Sequence, residues 1–164
     1  MRIAAPDALT LAAVLRRDLA AIRGLESHIA QMAAPGLSRL EVDSLGFALH
    51  NLYNALENSF TQTSLTFENH VKDQARWHRE LLEKMFLDLT PLRPAVLPAP
   101  CRPLLADLLG FRHLFRHAYE MQLDPAKLAA LRARWLSDGP RVLAALEDFL
   151  VLLDAASSGP DSTS

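Results

Sequence analysis

The sequence predicts an all-α protein, an antiparallel bundle of four to five helices, and three observations carry that expectation. Leu and Ala dominate a chain that is 50% hydrophobic but only 7% aromatic, and unbranched side chains lose little rotamer freedom in a helix. Long stretches repeat apolar residues at three- and four-residue steps, with no strand-like alternation, repeat or heptad seam. Short breaks divide those stretches, the pattern of long amphipathic helices packed side by side.

The first helix is expected from about Asp7 to Ala33, with Asp7 as N-cap after Pro6 and a stop at Pro35–Gly36. Its apolar face is Leu11, Val14, Leu15, Leu19, Ile22, Leu25 and Ile29. The second runs from about Ser38 to Asn69. Ser38-Arg39-Leu40-Glu41 is a capping box, in which the Ser side chain and the Glu three later satisfy each other's free backbone donors. Its face is Leu45, Leu49, Leu52, Leu56, Phe60 and Phe67. A shorter third helix covers about Asp73 to Leu89. The segment Thr90–Pro100 then holds four prolines, which rules out a helix interior because each lacks an amide donor and clashes with the preceding turn. It reads as a rigid, extended connector. A fourth helix opens near Cys101–Pro103 and reaches about Gln122. Asp124–Pro125 starts the fifth as N-cap and first helical residue. Ser137-Asp-Gly-Pro140 is expected to interrupt that last stretch, with a second piece continuing to about Ala156. The 164 residues make one domain over 1–156, and residues 157–164, rich in Ser, Gly, Pro and Asp, form a disordered tail.

The net charge of −2 gives no global reason to bind nucleic acid, so an RNA contact would need a local basic patch. The single cysteine, Cys101, excludes an intramolecular disulfide and suits a reducing cytoplasm. Pro6 and Asp7 interrupt what a signal peptide needs, and no apolar run is long enough to span a membrane. The expected setting is therefore cytoplasmic.

One helix face differs in kind from the rest. In Phe111-Arg-His-Leu-Phe-Arg-His-Ala-Tyr-Glu120, an ideal helix puts Arg112, His113, Arg116, His117, Tyr119 and Glu120 on one arc of roughly 160°. Phe111, Leu114, Phe115, Ala118 and Met121 fall on the opposite arc and are expected to face the core. Solvated surface helices also carry such charges. A metal site at His113, His117 and Glu120 is a lesser alternative, since zinc motifs usually include a further, distant ligand. The functional alternative starts from phosphodiester chemistry. RNA carries its own nucleophile, the 2′-hydroxyl. Cleavage needs a group to take that proton, a charge to stabilise the phosphorus centre, and an acid for the leaving oxygen. Histidine suits the proton transfers and arginine the phosphate.

The spacing Arg112-x4-His117-x-Tyr119 resembles the signature of HepT-like HEPN ribonucleases, and it lies in the helix after the long connector, where that family has it. Leu49-His-Asn-Leu-Tyr-Asn-Ala-Leu-Glu-Asn58, Trp77-His-Arg-Glu-Leu-Leu-Glu83, Asp107-Leu-Leu-Gly-Phe-Arg-His113 and Asp124-Pro125 are similar too, so the likeness covers about residues 5–155. The resemblance implies a HEPN-like bundle and a metal-independent endoribonuclease toxin acting on tRNA or mRNA, with no cofactor. It implies a homodimer whose motif helices face each other across a composite cleft. Arg112 would bind the scissile phosphate, and His117 would act as general acid/base. Tyr119 resembles the tyrosine that a partner minimal nucleotidyltransferase (MNT) antitoxin adenylylates. Arg112 and His117 lie about 140° apart on one ideal helix, which also suits a site closed by a second protomer. Arg116 and His113 are candidates for supporting RNA contacts, with a solvated basic face as the alternative. On the second helix His50, Asn54 and Glu57 lie opposite the Leu stripe, and Asn54 or Glu57 is a candidate helper residue. Trp77 and Trp135 read as packing residues. Two other functions stay open, a non-catalytic partner or substrate-binding subunit of a nucleotidyltransferase, and a purely structural helical oligomer.

Overall fold

The structure, a computed structural model, describes residues 1–32, 36–68, 77–116 and 122–158. Among these it is all-helical: α1 (Ala5–Gln31), α2 (Arg39–Glu68), α3 (Trp77–Lys84), a 3-10 turn at Ala99–Cys101, α4 (Arg102–Arg116) and α5 (Pro125–Ser157). The predicted apolar faces of α1 and α2 turn inward, with Val14, Leu25 and Phe67 only half-buried. Leu11, Leu15, Leu19, Ile22 and Ile29 of α1 meet Leu45, Leu49, Leu52, Leu56 and Phe60 of α2 in one core. That core also takes Trp135, Leu146 and Phe149 of α5. Burying each large apolar side chain contributes about 1.5–3 kcal/mol, so these stripes decide the packing.

Long-range pairs give the directions. Arg16 bonds Asp154 at 2.5 Å, Arg23 pairs with Glu147, and Arg132 donates to the Ile29 carbonyl at 2.8 Å. As α1 advances its partners on α5 recede, so the two helices are antiparallel. Asp18, buried, accepts from Asn58 at 2.7 Å and Ser59 at 3.0 Å, while His28 reaches Ser44 at 3.1 Å. That sets α1 antiparallel to α2. Helix α4 packs on α2 and α5, and short α3 closes against α2 and α4.

The start signals behave as chemistry requires, with one correction. Ser38 and Glu41 form the capping box: the Ser38 amide donates to Glu41 Oε2 at 2.7 Å and the Glu41 amide to Ser38 Oγ at 3.4 Å. The Ser38 hydroxyl, which donates to the same carboxylate oxygen at 2.6 Å, and then the Ser38 amide hold the Glu41 carboxyl below its ordinary range. Asp124 caps α5, accepting from the amides of Ala126 and Lys127. Asp7 does not cap α1: the N-cap is Ala4, and Asp7 sits in the first turn with Pro6 before it.

Two further boundaries differ. Helix α3 ends at Lys84 rather than near Leu89, because Met85 turns inward and its carbonyl accepts the amides of Val96 and Leu97. Helix α5 runs unbroken through Pro140. Proline inside a helix costs about 3 kcal/mol, but Pro140 faces solvent and both flanks are anchored in the core. Leu128, Leu131 and Trp135 precede it, and Val142, Leu143, Leu146 and Phe149 follow it, all buried. Gly139 makes room for this, since a Cβ there would stand 2.8 Å from the Trp135 ring.

The connector is fastened by Arg93, fully buried, which donates to Glu68 at 2.6 Å and to the Lys84, Leu87 and Pro94 carbonyls. It joins the ends of α2 and α3 to the loop that delivers α4. The expected tail falls mostly on residues outside those described; Ser157 still belongs to α5. Among the described residues, no helix is long and apolar enough to cross a membrane.

Candidate functional site

On α4 the buried residues include Leu105, Leu108, Leu109 and Arg112. They fall at i, i+3, i+4 and i+7, so Arg112 continues a leucine stripe toward the core. Its side chain is only 7% exposed. This corrects the expectation of a solvent-facing polar arc containing Arg112. Leu114, expected inside, is 44% exposed, and Phe111 and Phe115 are half-buried. Arg116 and His113 do lie at the surface.

A buried guanidinium is costly unless its donors are satisfied. Nη2 of Arg112 stands 3.0 Å from Glu57 Oε2. Nε donates to Asn54 Oδ1 at 3.1 Å, and Nη1 meets His78 Nε2 at 3.4 Å. Asn54 and Glu57 are one turn apart on α2, facing α4, and their neighbours Leu52, Tyr53, Leu56 and Phe60 are buried in the core. His78 comes from α3, and its Nδ1 bonds the other Glu57 oxygen, Oε1. One carboxylate therefore bridges an arginine and a histidine.

The roles on His78 follow from valence. An arginine can only donate, so His78 Nε2 must be the acceptor, and the ring proton sits on Nδ1, given to Glu57. The same logic runs outward. Asn54 gives its carbonyl to Arg112, so its amide nitrogen donates to His50 Nε2 at 3.0 Å. Burial, then the charges of Arg112 and Arg116, hold the His50 ring below its ordinary pKa. His50 stacks on Phe115 at 4.8 Å between centroids, and His78 meets His113 edge-on at 5.5 Å.

The structure thus brings Arg112, Asn54 and Glu57 into direct contact, with His113 beside them and Arg116 one turn along α4. The predicted His117 and Tyr119 lie outside the described residues, as does Glu120. His78 was not predicted. It lies 34 residues from Arg112 in sequence, and no local spacing relates them. His50 was visible in the i, i+4, i+7 series on α2, but nothing there marked it as Asn54's partner. A groove of about 640 Å³ between α4 and α5, floored by Phe111, Leu114 and Leu131, contains none of this polar cluster. What the cluster can do chemically is narrow: it fixes a positive charge beside a carboxylate-oriented imidazole.

A family model of HepT-like proteins matches residues 44–151, about two-thirds of the chain. The chain belongs to the HepT-like family. This is a family of HEPN type, the kind of helical protein to which ribonuclease toxins belong. The match begins inside α2 and ends inside α5, so every member of the Arg112 cluster lies within it, and α1 lies before it. No curated protein and no solved structure matches this HepT-like chain.

Proposed function

We propose that this HepT-like protein is the endoribonuclease toxin of a HEPN/MNT toxin–antitoxin system and cleaves RNA, a tRNA or mRNA, without a metal. One observation carries the reading. The arginine that opens Arg112-x4-His117-x-Tyr119 is buried against Glu57, Asn54 and His78. Unlike buried Arg93, which fastens the connector to Glu68 and three carbonyls, it binds no backbone group and joins no loop to the bundle among the described residues. Desolvating such an ion costs several kcal/mol, and stability alone is served better by apolar packing. Groups held against that cost are candidates for chemistry.

In this reading Arg112 stabilises charge on the scissile phosphate. Three of the five N–H donors of a guanidinium make the bonds described, and the phosphate takes others. Asn54 and Glu57 aim the fork. His117 serves as general acid/base, and Arg116 and His113 supply RNA contacts from the exposed face of α4. A second protomer docks along the motif helices, which the 44% exposure of Leu114 supports. The antitoxin is a minimal nucleotidyltransferase that adenylylates Tyr119, placing negative charge and bulk in a cleft made for phosphate. The setting is the cytoplasm.

The test is induced expression together with cleavage of RNA by the purified protein in EDTA. The wild type is expected to arrest growth and cut RNA, and His117→Ala to do neither. Equal arrest by that variant would remove His117 from catalysis. A second reading, the non-catalytic partner of a nucleotidyltransferase, is favoured by the low exposure of Arg112, which fits a structural latch. Intact RNA, together with a tight complex with the transferase, would establish it instead.

A further inference from the structure

Arg112 and His117 diverge on an ideal helix, so a histidine that converges on Arg112 within one protomer has to come from another element. His78 does so. Its Nε2 is 3.4 Å from Arg112 Nη1. The other ring nitrogen is tied to Glu57, whose second oxygen holds the same guanidinium at 3.0 Å. We infer that His78 is the general base of the cleft, an assignment that rests on the ribonuclease reading above.

Three features support it. First, the tautomer is fixed. With the proton on Nδ1 facing Glu57, the lone pair on Nε2 points toward the phosphate-binding side of Arg112, and the carboxylate stabilises the imidazolium that forms on protonation. Second, the contact on Nε2 is long for a hydrogen bond, so an incoming hydroxyl can displace it. Third, His78 is the most accessible member of its triangle: its side chain is 19% exposed, against 9% for Glu57 and 7% for Arg112. The titratable and charged groups that face it among the described residues are Glu57 from α2, and Arg112 and His113 from α4.

The step balances as follows. The 2′-hydroxyl proton passes to His78 Nε2, and the 2′-oxygen forms a bond to phosphorus. The bond from phosphorus to the 5′-oxygen breaks, its electron pair leaving with that oxygen. The leaving oxygen takes a proton from the general acid, the role proposed for His117. Arg112 offsets the charge at phosphorus throughout.

The experiment compares wild type, His78→Gln and His78→Asn on a short oligoribonucleotide across pH, with thermal melts to verify folding. Loss of a general base lowers the rate about 10²–10⁴-fold. It also removes the acid limb of the kcat/KM profile, because that limb records deprotonation of the base. A merely structural histidine would lower the rate and leave the profile's shape intact, and that outcome overturns the assignment. A substrate with sulfur at the bridging 5′ position separates base from acid, since a thiolate leaves without a proton. His117→Ala should regain rate on it and His78→Gln should not; recovery by His78→Gln overturns the inference. In wild-type protein, the His78 ring-nitrogen resonance should move when a 2′-O-methyl oligoribonucleotide is added. A resonance that stays fixed overturns the contact even if neither variant folds. Absence of cleavage by the wild type defeats the ribonuclease reading itself, and the assignment with it. Cleavage by wild type with an unchanged His78→Gln profile defeats only the assignment.

Discussion

The ion pair between Arg112 and Glu57 holds the candidate site together, and its energetics can be worked from burial. Both side chains are under one-tenth exposed, at 7% and 9%. Removing one partner of such a pair strands the other and typically costs about 3–5 kcal/mol. Glu57→Ala leaves Arg112 with Asn54 and His78 but no counter-charge, so the lower end, about 3 kcal/mol, is expected. For a chain of this size each kcal/mol shifts the melting temperature by about 2–4 °C, which gives a drop of about 6–12 °C. The double variant Glu57→Leu with Arg112→Met removes both charges and refills the space. It leaves half-buried Asn54 and His78 short of partners, so it should fall between wild type and the single variants. Because that double variant is milder than either single, the coupling in the double-mutant cycle is about 3 kcal/mol or more, at least the whole loss of one single variant. Arg16→Ala serves as the surface control. The Arg16–Asp154 pair is 49% and 43% exposed, and such pairs contribute about 0–1 kcal/mol. Circular dichroism and fluorescence melts, required to coincide, supply the measurements. A Glu57→Ala loss below about 1 kcal/mol, additive with Arg112→Met, would show that the pair is solvated and would remove the burial argument on which the functional reading rests.

Two further outcomes follow from local geometry. Gly139→Ala should destabilise, because its Cβ would stand 2.8 Å from two atoms of the fully buried Trp135 ring, and overpacking of about 1–3 kcal/mol exceeds the gain in helix propensity. Gly24→Ala, with nothing within 4 Å, should gain about 0.5–1 kcal/mol, and melts of the two variants read opposite signs. The pH dependence of stability should carry a His50 component. Its folded pKa is lowered by burial and by Arg112 and Arg116, so below the ordinary histidine value of about 6.5 the unfolded chain takes up a proton that the native state resists. Stability is therefore lost as pH falls through that value. His50→Gln should flatten this part of the curve in urea titrations, and an unchanged slope would mean the ring is not desolvated.

The fold was legible because its determinants are local. Leucine stripes at helical spacing, a Ser-x-x-Glu box and an Asp–Pro start each act within one or two turns, and each appears as read. The α5 interruption was misjudged because a local rule met a tertiary one: Pro140 disfavours a helix, but the buried residues on both sides hold it. Arg112 was misplaced because its arc was taken over ten residues. Extended back to Leu105, Leu108 and Leu109, the inward stripe ends on Arg112, so the signal was present in the sequence. The His78 contact carried no such signal. It depends on how α3 leans against α2 and α4, which no spacing along the chain encodes.

The polar cluster also explains why α4 carries two arginines one turn apart and why they are not equivalent. Arg112 lies on the inward stripe, where Glu57 and Asn54 fix its fork from a helix whose neighbouring side chains, Leu52, Tyr53 and Leu56, are locked in the core. Its geometry is set before any ligand arrives, and a preset donor is worth most where charge develops. Arg116, at the surface, keeps its freedom and its hydration, so its contribution to an anionic partner is long-range attraction, weakened by salt. The proposed chemistry needs both behaviours, a fixed guanidinium for the reacting phosphate and a mobile one for the strand around it. The amphipathic pitch of one helix supplies them, because four residues carry the chain from the edge of the core to solvent. Glu57 is then the residue on which the arrangement turns. With one oxygen on Arg112 and the other on His78, it couples the position of the charge to the tautomer of the imidazole.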